Sequence, residues 1–165
     1  MSIETIEYLQ NKLFHSSDFG PAVQNWKLNN EKLVFTNGVF DILHIGHVSY
    51  LAKARQLGDK LVIGLNADAS VKRLKGNDRP INNQYNRALL LAALFFVDAV
   101  VIFEEDTPHQ IICSILPDVL VKGADYAIEN IVGAAEVLAN GGTVQTIKFI
   151  DGHSSTSLIE KMKAR

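Results

Sequence analysis

The sequence predicts an α/β protein built on a doubly wound, five-stranded parallel sheet. Three observations carry this. Short Val/Ile/Leu-rich runs recur from residue 32 onward and are continuously apolar, not alternating, as strands covered on both faces are. Segments of helical length lie between them, so strand and helix alternate five times. Glycines, prolines and asparagines punctuate the junctions.

The chain has 165 residues, enough for one domain with a real core. Residues 3–14 (IETIEYLQNKLF) set Ile3, Ile6, Leu9, Leu13 and Phe14 at a helical period. The following HSSDFGPAVQNWKLNNE is polar and punctuated, a connector. Residues 1–31 are therefore expected to be a helical appendage and connector, anchored by Trp26, and residues 32–165 the main domain. KLVFTN is the first strand, followed by a helix over about 46–57 that stops at Gly58. KLVIGLN (60–66) is the second strand, and ADASVKRLK a polar helical turn. NNQYNRALLLAALFFVD (82–98) is an apolar helix that Asn82 or Asn83 can cap. AVVIF (99–103) is the third strand; Thr107 then serves as N-cap and Pro108 as first helical residue of a helix ending before Pro117. DVLVKG (118–123) is the fourth strand, IENIVGAAEVLANGG a helix with a glycine stop, and TVQTIKF (143–149) the fifth strand. A last helix begins near SSTSLIEKMK.

Composition narrows the function. The net charge is −2, so no basic field argues for a nucleic-acid surface, and any anion must be held by a local cluster. Cys113 is the single cysteine, which rules out an intrachain disulfide and a thiolate cage; within an apolar helix it reads as a small buried hydrophobe. The first residues are acidic where a signal peptide is basic, and no run approaches the roughly 20 apolar residues of a membrane span. A cytoplasmic protein without a membrane partner is the expectation.

In doubly wound sheets ligands sit beyond the carboxyl ends of the strands, where the winding reverses. The loops to inspect are 36–47, 66–80, 104–107, 122–126 and 150–156. Neither G-x-x-x-x-G-K-[ST] nor G-x-G-x-x-G occurs, so phosphate, if held, is held otherwise. The stretch FTNGVFDILHIGHVSYLAKAR (35–55) sets His44 and His47 one helical turn apart where a strand hands over to a helix. Gly46 between them leaves room for a ligand near the backbone. Capping is the commoner use of such residues; the alternative is a pair of donors aimed at an anion. No third ligand lies at a known metal spacing. The second loop, NADASVKRLKGNDRPI, gathers Lys72, Arg73, Lys75 and Arg79 around Gly76. That run is either a solvated basic face or a flap over a polyphosphate, where lysine acts as a point charge and arginine can bind two oxygens.

VFTNGVFDILHIGH resembles the signature of the nucleotidyltransferase superfamily that carries His-x-Gly-His. The string K-R-L-K-G-x-x-R-P, with FEEDTP and LPDVLVKGADY, is similar to its heptose-phosphate adenylyltransferase branch over about residues 32–160. The resemblance implies a Rossmann-like nucleotidyltransferase fold and transfer of AMP from ATP to D-glycero-β-D-manno-heptose 1-phosphate, with Mg²⁺ accompanying ATP. It also implies a stand-alone version of an activity that many bacteria fuse behind a sugar kinase.

By that resemblance His44, His47, Lys72 and Lys75 are catalytic. Thr36, Asn37, Gly38, Phe40, Gly46, Lys122, Gly123, Asp125, Ser154, Ser155 and Thr156 bind nucleotide. Asn66, Asp68, Arg73, Arg79 and Arg87 bind the sugar phosphate, Arg87 being equally open to a structural ion pair. No protein-held metal is expected, the partners are ATP and a sugar 1-phosphate, and a homodimer is possible through residues 3–14 and Trp26. Two departures stand out. Relatives read I-S-S-T-x-x-R, where this chain has Ile159 and its first basic residue is Lys161; and the R-T-E-G lead-in of glycerol-phosphate cytidylyltransferases is here Phe149-Ile150-Asp151-Gly152. The second counts against a cytidylyltransferase, which remains the alternative beside a non-catalytic nucleotide-binding module.

Overall fold

The structure, a computed structural model, describes residues 5–150 and 155–163. Eight helices and six strands run in the order α1 (Thr5–Gln10), β1 (Leu13–His15), α2 (Gly20–Leu28), β2 (Leu33–Gly38), α3 (Ile45–Arg55), β3 (Lys60–Asn66), α4 (Asp68–Lys75), α5 (Gln84–Ala92), β4 (Ala99–Phe103), α6 (His109–Ile115), β5 (Val119–Gly123), α7 (Ala134–Ala139), β6 (Thr143–Ile147) and α8 (Ser155–Lys163). All strand pairs are parallel, and the sheet order is β1-β4-β3-β2-β5-β6.

Strand alternation explains the continuous apolar runs. Val34, Leu61 and Ile63 enter one core layer with Leu51 and Leu91, while Leu33, Phe35 and Val62 enter the other with Ile112 and Val137. Each central strand thus has helices on both faces and no polar side to show. From β2 the chain winds outward through β3 and β4, then returns to place β5 on the other flank of β2. The registers Val34↔Val119 and Phe35↔Leu120 fix that seam. The winding reverses there, so the crevice opens at the carboxyl ends of β2 and β5.

Among the described residues the sheet has six strands, not five. The additional one begins inside the expected 3–14 helix, which stops at Gln10, and Leu13–His15 adds to β4. The open edge of β4 presents unpaired backbone groups, and the Val100 amide takes the Lys12 carbonyl at 2.8 Å. The lysine Nζ meanwhile donates to the Ala92 and Val97 carbonyls at 3.2 and 2.9 Å. The expected 82–98 helix is shorter, 84–92; Asn83 caps it, its side chain accepting the Asn86 amide. The expected single helix from Ile128 to Gly142 divides into a 3₁₀ turn at Ile128–Asn130 and α7. Gly133 separates them with φ of 83°, where a Cβ would strike Ile112. Thr107 does not cap α6, which starts after Pro108 without a side-chain cap.

Candidate active site

At the end of β2 the chain turns through Phe40, whose φ of 46° is in the left-handed region, and enters α3. His44 is the N-cap residue of α3, yet its side chain makes no capping hydrogen bond. The imidazole is used otherwise. The His44 and His47 rings stack with centroids 3.8 Å apart, and Phe40 packs its edge against His47 at 5.1 Å. The His47 Nδ1 and the Asn37 Oδ1 are buried with no hydrogen-bond partner among the described residues. Buried polar atoms are rarely left so, and both residues line a crevice of about 500 Å³. That volume is in the range of small-molecule sites. Burial, reinforced by His44 and Lys75 and opposed by the nearby Ile42 backbone, lowers His47 to a pKa of about 4. That shift favours the uncharged ring at neutral pH.

The opposite wall comes from β5. Lys122, Gly123 and Asp125 line the crevice with Tyr126 and Phe149. Burial lowers Lys122 to about 8, against the pull of Asp125, and its Nζ lies 5.4 Å from the Tyr126 ring centre. A Cβ on Gly123 would run into the Phe149 ring edge and the Asp125 carboxylate, so the wall there is backbone. Phe149 stacks on Tyr50 at 4.6 Å. The Tyr50 hydroxyl is 2.8 Å from Thr36 Oγ1, and burial pushes it up to about 12.

The basic loop divides by role. Lys75 lines the crevice, with Lys72 exposed one turn earlier on α4. Arg73 instead donates to Asp106 at 2.7 Å and to the Glu104 carbonyl at 2.5 Å, tying α4 to the loop after β4. Arg79 lines the crevice while paired with Asp41 at 2.6 Å. Asp41, 2% exposed, also accepts the Ile81 and Asn82 amides. Burial raises its pKa, but those two amides and Arg79 outweigh it, so the carboxyl sits below its usual range. The aspartate thus pins the β2 loop to the segment before α5.

Several expected ligands are elsewhere. Arg87 is 1% exposed and donates to the Asn82, Val39 and Asn66 carbonyls and to Asp68. It is a structural ion-pair residue and not a sugar-phosphate ligand, and Asp68 is its partner. Arginine can be buried this deeply because every donor group finds an acceptor. Thr36 and Gly46 are buried and stand outside the crevice lining. Asn66 lines it, its amide donating to Ser70. Ser154 lies outside the described residues, and Ser155 and Thr156 open α8. The sequence reading passed over Tyr50, Tyr126 and Phe149. Tyr50 is one turn beyond His47, and Tyr126 falls in an inspected loop; those positions were the only signal.

Among the described residues, three aspartates line the crevice: Asp41, Asp106 and Asp125. The first two are bound to arginines, so the described residues build no carboxylate cage for a divalent ion. A hard cation here fits only as a companion of phosphate oxygens.

A sequence profile described as cytidylyltransferase-like matches residues 35–161, the span that builds both walls of this crevice. The chain belongs to the cytidylyltransferase-like family. It is thereby a nucleotidyltransferase, with the Rossmann-like sheet of that type. Among family relatives, the protein named bifunctional protein HldE of Marinomonas sp. (strain MWYL1) is 48% identical over 98% of this chain and 36% of its own length. The HldE of Cronobacter sakazakii is 58% identical over 86% of this chain and 30% of its own length. The chain thus spans about a third of the curated relatives it matches. A solved lipopolysaccharide core biosynthesis protein from Thermoplasma volcanium is 30% identical, with a TM-score of 0.58, covering 73% of this chain and 97% of its own. Pantoate-beta-alanine ligase of Francisella tularensis, 12% identical with a TM-score of 0.57 over 92% of this chain and 76% of its own, shares the fold.

Proposed function

We propose that this chain transfers AMP from ATP to D-glycero-β-D-manno-heptose 1-phosphate, releasing pyrophosphate. The observation that carries the reading is the convergence, in the crevice at the strand seam, of His47, on which His44 stacks from outside the lining, with Lys75 from one side and Lys122 from the other. The heptose acceptor rests on the K-R-L-K-G-x-x-R-P string, and it suits the similarity to a protein of lipopolysaccharide core biosynthesis.

A sugar-phosphate oxygen attacks the α-phosphorus, the bond to the bridging oxygen breaks, and pyrophosphate leaves in line. The attacking oxygen is already anionic, so no general base is required. Catalysis is then positioning and charge neutralisation. His47 enters uncharged and is free to take a proton as negative charge gathers on the phosphates. Protonated, it and His44 donate to the α-phosphate and the bridging oxygen. Lys75, with Lys72 behind it on α4, and Lys122 neutralise the polyphosphate. Mg²⁺, arriving with ATP, would add to that charge neutralisation, with no carboxylate cage among the described residues required to hold it. The Gly123 backbone and the Phe149 ring border the space for the base.

The test is pyrophosphate release with ATP or CTP against heptose 1-phosphate, glycerol 3-phosphate and other sugar phosphates. ATP with heptose 1-phosphate is expected to give the highest kcat/KM. CTP with glycerol 3-phosphate turning over faster would refute the assignment, and nucleotide binding with no pyrophosphate from any pair would leave only a binding module.

A further inference from the structure

α6 carries His109 and Cys113 one turn apart, and α7 brings Glu136 against them. The His109 Nε2 lies 2.7 Å from the Glu136 Oε1, and the Cys113 sulfur is 3.7 Å from Nε2 and 3.8 Å from Nδ1. One ligand atom from each residue lies within 4.8 Å of the other two. None of the three lines the crevice, and adenylyl transfer uses none of them.

A thiol beside an imidazole has two chemical uses. A nucleophilic thiol needs one ring nitrogen on sulfur and the other on an orienting group. Here Glu136 holds Nε2, but the sulfur stands almost equally far from both ring nitrogens and is aligned on neither, so that relay is not built. A metal ion needs three ligand atoms gathered within reach of one point, and this is what the cluster supplies. Zinc bonds of about 2.0–2.3 Å to nitrogen, oxygen and sulfur put tetrahedral ligand atoms roughly 3.3–3.6 Å apart. The sulfur–nitrogen spacing is already close to that, and the His109–Glu136 pair has only to open slightly. A thiolate and a carboxylate neutralise a divalent charge, and the His109 hydrogen bond already favours the ionised Glu136. Thiolate and imidazole together select zinc-like ions over magnesium or calcium. The His109 and Glu136 side chains are 50% and 39% exposed, which lets an ion enter and leaves room for water.

We propose that His109, Cys113 and Glu136 form a surface site for a thiophilic divalent cation of the zinc class, water completing the tetrahedron. Binding displaces the thiol proton and the proton shared between His109 and Glu136. The ion clips α6 to α7 behind Pro108 and Ile131, which face the crevice.

The experiment is titration of the full chain with Co²⁺, followed by its sulfur-to-metal charge-transfer absorption. Because Cys113 is the only cysteine, such a band can arise nowhere else; ion bound at the His44–His47 pair gives none. The expected result is a band that saturates at one equivalent, disappears on adding Zn²⁺, and is absent in Cys113→Ser. His109→Gln and Glu136→Gln, checked for fold by circular dichroism, are expected to weaken binding by about tenfold or more, the order seen even for groups that only orient a ligand. The proposal fails if no band appears, or if either substitution leaves the midpoint unchanged. Neither result bears on adenylyl transfer, so the two readings fail independently.

Discussion

Arg87→Met separates a structural arginine from a substrate ligand. Methionine keeps much of the apolar stem and removes four donor contacts: to the Val39 carbonyl at 2.6 Å, Asp68 at 2.7 Å, and the Asn66 and Asn82 carbonyls at 2.9 Å. Breaking a buried ion pair by removing one partner costs about 3–5 kcal/mol. The Asp68 side chain is 31% exposed and can rehydrate, which selects the lower part of that range, about 3–4 kcal/mol. In a chain of this size each kcal/mol moves Tm by about 2–4 °C. The melting midpoint is therefore expected to fall by about 6–16 °C. Differential scanning calorimetry gives the midpoint, and KM for the sugar phosphate, measured well below it, is expected to hold. An unmoved midpoint with a sharply raised KM would show that the guanidinium meets substrate, and the structural assignment would be wrong.

His47→Ala is expected to lower kcat by about 10²–10³ with a smaller loss of Tm than Arg87→Met; near-normal turnover by a less stable protein would contradict the donor role. The same residue sets a pH dependence. Burial lowers its pKa from 6.5 to about 4 in the folded chain, so between those values the unfolded chain binds more protons, and stability falls as pH drops through that window. Denaturant melts from pH 7 to 4 on wild type and His47→Ala test this, the variant showing the shallower decline. Lys122, lowered to about 8, loses its charge as pH rises through that value, so kcat/KM for ATP is expected to fall above about pH 8, and Lys122→Met to lose that limb. Gly123→Ala forces Phe149 away from its stack on Tyr50, at a cost of about 1–3 kcal/mol; removing the ring in Gly123→Ala/Phe149→Ala should give a total below the sum of the single losses, read from a double-mutant cycle.

The central strands were legible because burial on both faces leaves one composition possible, and β2 through β5 show it without interruption. The strand at Leu13–His15 was not, since Leu13 and Phe14 also complete a helical period; the unsatisfied edge of β4, almost ninety residues away, decides the matter. The histidine pair was legible from position, at the end of the first central strand. Which cations of the basic run are engaged by carboxylates of the fold was not. Asp106 claims Arg73 and Asp41 claims Arg79, and no local pattern announces partners so distant in sequence. Arg87 sits on an apolar helix that could have aimed it anywhere; its four acceptors come from three separate stretches of chain, visible only after folding.

The two walls of the crevice belong to opposite arms of the sheet, joined along β2 and β5 by a register spanning few residues. A nucleotide touching His47 and Lys122 at once acts as a rivet across that joint. Its affinity is thus spent partly on mechanical cohesion: by mass action, saturation a hundredfold above Kd adds about 2.7 kcal/mol to resistance against unfolding. Amide exchange should slow along this seam before it slows at the β1 and β6 margins.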